Sequence, residues 1–215
     1  MTEQQAYWHR VEQELKKRWA YPYQWGIKQD DYHDKATHFI YNTATFDEVM
    51  ATIQEAFGKS KDFYKWQNYA LNRWYNFHAA VAVEQCFCAL PEVVPALNAK
   101  NRLVDFTIQG IPFDHKTSVF PKKYPLTAAQ AYADTASLIQ WLYENQSQQR
   151  RKHHHNRIFI MLYAKNGEHW KLKAELLWLK ELIDNYVWNF NPERLYRFDW
   201  DTGQYALADL IWAMQ

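Results

Sequence analysis

Residues 103–118 constrain this chain more than any other stretch, because they set two carboxylates and a lysine into what otherwise reads as two short apolar strands joined at Gly110. A period of two places Val104, Phe106 and Ile108 on one face of the first strand, with Leu103, Asp105, Thr107 and Gln109 on the other. In the second strand Pro112, Asp114, Lys116 and Ser118 share a face, and His115 turns the opposite way. A two-residue loop, either Gln109-Gly110 or Gly110-Ile111, sets odd positions of the first strand opposite even positions of the second. Asp105 then shares a face with Asp114 and Lys116. Directly opposed Cβ atoms lie about 4.5–5.5 Å apart, so two carboxylates there repel unless a proton or a cation sits between them. A divalent metal ion resolves that repulsion. A three-residue loop would reverse the parity, and two surface acids with a lysine in an exposed salt bridge are the plain structural alternative.

A third acid lies upstream. Residues 63–90 read as one long helix stopped by Pro91, nearly all apolar from Phe77 onward. Glu84 sits on that stripe among Phe77, Ala80, Val81, Phe87 and Cys88, where a carboxylate without a partner is costly to bury. It lies at the edge of the stripe, is held by an arginine such as Arg73 or Arg102, or serves as a further metal ligand.

At these residues the sequence resembles the PD-(D/E)xK nuclease superfamily. Its signature, a metal-binding Asp, a short hairpin, then Asp or Glu, any residue and Lys, maps onto Asp105 and Asp114-His115-Lys116, with Thr117-Ser118 following. Glu84 supplies the acid on the preceding helix. The resemblance implies an α/β fold: a restriction-endonuclease-like core in which a small mixed β-sheet is flanked by helices, preceded by a mostly helical elaboration. It also implies a Mg2+-dependent phosphodiesterase acting on DNA, with Mn2+ able to substitute. Glu84, Asp105, Asp114 and the backbone carbonyl of His115 would hold the ion, and Lys116 would orient and help deprotonate the attacking water. Two other classes stay open, a non-catalytic nucleic-acid-binding or assembly subunit that keeps the fold, and an unrelated aromatic-rich interaction protein. Cutting both strands of a duplex would favour a homodimer.

The 215 residues fit one domain, with residues 1–60 as the N-terminal elaboration, 61–190 as the core and 191–215 as a C-terminal extension. Aromatic residues make up 18% of the chain against 5 Gly, which points to an aromatic-packed core. A net charge of +1 gives no global basic field, so local cations must make any contact to a polyanion. The candidates are Lys122, Lys123, Arg150, Arg151 and Lys152, the last three running into His153-His154-His155, which reads as a solvated polar run. Cys86 and Cys88 lie two apart on a helix and point in different directions, as buried thiols rather than a disulfide or a zinc site. No run of about 18 apolar residues and no leader-like start are present, so a cytoplasmic protein with no membrane span is expected.

The remaining elements follow from period and punctuation. Residues 3–19 read as an amphipathic helix broken at Tyr21-Pro22, and residues 38–41 as a short strand. Thr45 and Glu48 form a capping-box pattern for a helix ending near Gly58. Residues 91–102 form a connection in which Val93-Val94 could make a very short strand. Thr127 caps a helix over residues 128–146, near whose start Gln130 is either the accessory residue the resemblance suggests or a solvent-facing glutamine. Residues 158–164 form a continuous apolar run, the mark of a central strand buried on both faces. A helix over 170–187, a strand over 195–200, a turn over 201–203 and a short amphipathic end complete the chain.

Overall fold

The computed structural model describes residues 3–96, 103–145, 155–200 and 203–215. The chain divides into two compact units, Met1–Ala82 with Lys173–Leu177, and Val83–Leu172 with Trp178–Gln215. No helix among the described residues is long and apolar enough to cross a membrane.

The first unit is helical. It contains α1 (Glu3–Lys16), α2 (Asp31–Ala36), α3 (Phe46–Phe57) and α4 (Phe63–Cys88) as far as Ala82. α1 buries Trp8 and Leu15, α3 buries Val49 and Ile53, and the Thr45/Glu48 capping box satisfies donors at the start of α3. After α1 the chain turns around Arg18, a fully buried guanidinium that donates to the carbonyls of Tyr21 and Pro22 and to Asn72 Oδ1 at 2.6–2.9 Å. Burial pushes Arg18 down to about 10, against the opposing influence of nearby tyrosines. The strand expected over residues 38–41 is instead a 3-10 turn. The Thr37 and Ile40 N–H groups bond back to the carbonyls of His33 and Thr37, so the backbone is satisfied locally and needs no partner strand.

The second unit is built on a six-stranded mixed sheet flanked by helices. Its strands are β1 (Val93–Pro95), β2 (Phe106–Ile108), β3 (Ile111–Val119), β4 (Arg157–Tyr163), β5 (Tyr196–Asp199) and β6 (Tyr205–Met214), in the spatial order β1-β2-β3-β4-β6-β5. β1, β2 and β3 form an antiparallel meander, β4 lies parallel to both β3 and β6, and β5 pairs antiparallel with β6. The link from β3 to β4 carries α5 (Ala128–Ala133) and α6 (Thr135–Asn145), as a parallel crossover requires. From Ile158 to Leu162 every residue of β4 is fully buried, which accounts for its continuous apolar run.

Three expected elements differ. The helix over 128–146 breaks at Asp134, whose φ of −130° and ψ of 71° leave the helix. Its carboxylate then accepts from the Ser137 N–H and hydroxyl, capping α6. The helix over 170–187 begins as a 3-10 segment, His169–Ala174, before α7 (Leu176–Trp188). The short amphipathic end is β6, a ten-residue strand held between β4 and β5, with Ala206, Ala208, Leu210, Ile211 and Ala213 buried.

Candidate metal centre

The hairpin uses the two-residue loop Gln109-Gly110. β2 and β3 pair Phe106 with Phe113, Thr107 with Pro112 and Ile108 with Ile111. Gln109 and Gly110 both have positive φ, 49° and 81°, as a type I′ turn requires. A Cβ on Gly110 would meet nothing within 4 Å, so glycine serves the backbone conformation rather than a close approach.

β3 presents two chemistries on its two faces. Asp114, Lys116 and Ser118 are in register with Arg157, Phe159 and Met161 of β4. Phe159 and Met161 pack with Leu138, Ile139 and Leu142 of α6. His115 faces the other way, toward α4. There the Phe87 and Phe106 rings stack at 4.5 Å, and each lies 6.2 Å from the His115 ring.

Asp105 leaves the face that strict alternation gives it. It lies in a bend one residue before β2, and its N–H bonds the carbonyl of Phe113, the residue already paired with Phe106. β2 has ended before it can pair His115, and the Asp105 carboxylate takes the missing partner's role. Its Oδ2 accepts the His115 backbone N–H at 2.8 Å and the ring Nδ1 at 2.7 Å. His115 alternates with Asp114 and Lys116 as expected, but it meets Asp105 and Glu84 on its own face, which corrects the expectation that it turns away from the site. Glu84, Asp105 and the His115 ring each bring a ligand atom within 4.8 Å of the others.

Glu84 is half-buried on α4, and among the described residues no hydrogen bond or ion pair meets its carboxylate. Burial and the charge of Asp105 push it above the usual carboxylate range, with His115 opposing. Burial would raise Asp105 too, but the hydrogen bonds and charge of His115 prevail and hold it below. Cys88, one helical turn after Glu84, feels the same field: burial, then Glu84 and Asp105, push its thiol up to about 11. Cys86 is buried.

Asp114 meets the Asp105 carboxylate but is held from β4. Its Oδ2 accepts from Arg157 Nε at 2.6 Å and from a terminal nitrogen of the same guanidinium. Burial and the charge of Asp105 push Asp114 up while Arg157 pulls it down, and the balance lies above the usual range. Asp114 is not part of the three-residue group of side chains, whose third member is the His115 ring. Lys116 keeps contact with water. Partial desolvation first, and the charge of Arg157 second, push its ammonium down against the pull of Asp114.

The other candidates lie elsewhere. Lys122 and Lys123 are exposed in the turn after β3. Gln130 is exposed, and its Oε1 accepts from the Thr127 N–H and hydroxyl in the capping box of α5, so its side chain serves the helix start. Arg150, Arg151, Lys152, His153 and His154 lie outside the described residues. Sequence reasoning passed over Arg157 and the His115 ring. An arginine at the head of an apolar central strand was the available signal for the first, since such a charge needs an acid beside it. For the second there was none, because the bend at Asp105 breaks the alternation on which the reading depended. No protein-family model, curated protein or solved structure matches this chain.

Proposed function

We propose that this chain is a metal-dependent phosphodiesterase that hydrolyses nucleic acid, with DNA as its substrate. The observation that carries this reading is the convergence of Glu84, Asp105 and His115 to within 4.8 Å, beside an Asp-x-Lys strand. The element order from α4 onward, helix, hairpin, helices, then a strand parallel to the hairpin's second strand, lends further support, because the nuclease resemblance implies the same order. The donors fit Mg2+ or Mn2+. Carboxylate oxygens are hard ligands, and two half-buried acids that repel each other, with no lysine or arginine paired to either among the described residues, favour a dication between them.

A bound ion would supply positive charge to the phosphate and lower the pKa of a water. Lys116, whose ammonium gives up its proton more readily than an ordinary lysine, would orient that water and assist its deprotonation. Arg157 would favour the ionised form of Asp114, against burial and the charge of Asp105, and fix the carboxylate beside Lys116. One observation favours a second reading, a nucleic-acid-binding subunit without catalysis: Arg157 occupies the carboxylate that the resemblance assigns to the metal.

The test uses the wild type, Lys116→Ala and Asp105→Asn with supercoiled plasmid, linear duplex, single-stranded DNA and RNA, in Mg2+, Mn2+ or EDTA. The reading predicts DNA cleavage that needs metal and disappears in both variants. Binding without cleavage in either metal would support the second reading, and neither binding nor cleavage would sink both.

A further inference from the structure

We propose that the C-terminal half of β6 is a docking edge, at which a second copy of this chain pairs antiparallel and continues the six-stranded sheet. This goes beyond the metal centre and does not rest on it.

β6 outruns its outer neighbour. β4 follows it from Ala208 to Met214, whereas β5 pairs only with residues 205–208. Gln215 exchanges backbone bonds with Tyr163 and Lys165 on the β4 side, and the Gln204 carbonyl accepts from Trp200 on the β5 side. Alternation along the strand therefore turns the N–H and C=O groups of Leu210, Trp212 and Met214 outward, past the point where β5 ends. Among the described residues no strand meets them, and only the Leu210 N–H has a partner there, Asp209 Oδ1 at 2.8 Å.

The edge lies in a slot between two helical layers. Ala129 and Tyr132 of α5 flank it on one face, Trp178 and Leu182 of α7 on the other, and Trp212 and Met214 complete the lining, all within the second unit. Trp212 lies 5.5 Å from the Tyr132 ring, while its neighbour-but-two Asp209 accepts from Tyr186 of α7 on the opposite face. A row of unmet donors and acceptors in an apolar slot calls for an extended backbone, which alone satisfies both. The outer edges of the sheet are guarded, β5 by exposed Arg197 and Asp199 and β1 by Pro95, the usual devices against edge pairing. Leu210-Ile211-Trp212-Ala213-Met214 has neither charge nor proline.

A neutral slot takes a neutral strand, and this stretch of β6 is itself one. Every segment of the chain outside the described residues carries charge or is only two residues long, so none supplies such a strand. A two-fold axis uses the same edge twice. With Trp212 opposite the partner's Trp212, the two exchange N–H···O=C bonds, and the Met214 N–H donates to the carbonyl of the partner's Leu210. The Leu210 N–H, already met by Asp209, needs nothing from the partner.

Sedimentation equilibrium and amide hydrogen exchange of the whole chain, over a range of protein concentrations, test this. The wild type should dimerise, with the Trp212 and Met214 amides exchanging more slowly as concentration rises. Met214→Pro removes only an outward N–H, and Met214→Lys sets a charge in the slot. Both should weaken dimerisation by about tenfold or more, because the two-fold axis doubles each loss, while Met214→Leu should leave it unchanged. Thermal melts of the dilute proteins check folding, and the wild-type exchange pattern is diagnostic even if a variant does not fold. A dimer indifferent to both variants, with no slowing at Trp212 and Met214, would place the interface elsewhere and overturn the proposal. A wild type that stays monomeric with these amides exchanging fast would overturn the second copy as occupant and leave the edge to an extended strand of another protein.

Discussion

Arg157 and Asp114 form the most consequential single contact in the second unit, because each would be costly alone. The guanidinium is largely buried over the Tyr143 and Phe159 rings, 5.8 and 5.6 Å away, and the carboxylate meets it through two nitrogens. Removing one partner of such a pair leaves a desolvated charge, a loss of about 3–5 kcal/mol when burial is complete, while replacing both with apolar side chains recovers much of it. Arg157→Met should therefore destabilise by roughly 2–3 kcal/mol, since Asp114 retains some contact with water. Asp114→Leu in the same chain should restore a large part of that, as read from urea unfolding. Equal losses in the single and double variants would mean that the pair is not coupled as described. The same residue shows where sequence reading stopped. The period of two identified Asp114 and Lys116 as neighbours on one face, but the partner came from the register of β3 with β4, which no local pattern encodes.

At the scale of elements, the site exists because β2 is short. Three residues suffice to pin the hairpin register but leave the His115 N–H for the Asp105 side chain, and that substitution brings His115 into the group with Glu84. α4 fixes Glu84 through Phe87, fully buried and stacked on Phe106. Phe87→Ala should cost about 3–5 kcal/mol and loosen metal binding at the same time, measurable as a fall in melting temperature together with a weaker metal isotherm. The cap of α5 behaves differently. Gln130→Ala removes the reciprocal half of the capping box, so a loss of about 1 kcal/mol is expected with no change in DNA cleavage. A slower enzyme of unchanged stability would instead return Gln130 to an accessory role. Elements defined by strong local signals were legible: the capping box of α3, the two-residue hairpin, the β4 run and even the short β1. The break at Asp134 and the strand nature of β6 were not. Asp134 reads as an ordinary polar helix residue until its side chain is seen capping α6, and β6 is defined by the strands on either side of it.

Across the whole chain positive and negative charges nearly balance, at a net charge of +1, and among the described residues several ionisable groups are costly to bury. His78 in the first unit is one of them. Burial pushes its imidazole below the ordinary value, while hydrogen bonding to the Ile40 carbonyl at 3.0 Å opposes this. A histidine with a depressed folded-state pKa takes up a proton more readily in the unfolded chain. Its stabilising contribution is thus present above the unfolded value of about 6.5 and is lost as pH falls toward the folded value. Unfolding at pH 7.5 and 5.5 should show this acid loss in the wild type and a smaller one in His78→Gln; identical pH slopes would contradict it. Glu84 is costly in the opposite sense, a half-buried acid that repels Asp105, and such expense is what a binding site tolerates and a scaffold does not. The most direct measurement is the thermal melt of wild type and Glu84→Gln in EDTA and in saturating Mn2+ or Mg2+. An ion at about 100 times its Kd stabilises by about 2.7 kcal/mol, or roughly 5–10 °C for a chain of this size. The wild type should show that rise, while Glu84→Gln should melt at or above the wild type in EDTA and gain little from the ion. A wild-type melting curve that is the same with and without metal would contradict the metal centre, and with it the proposed hydrolysis.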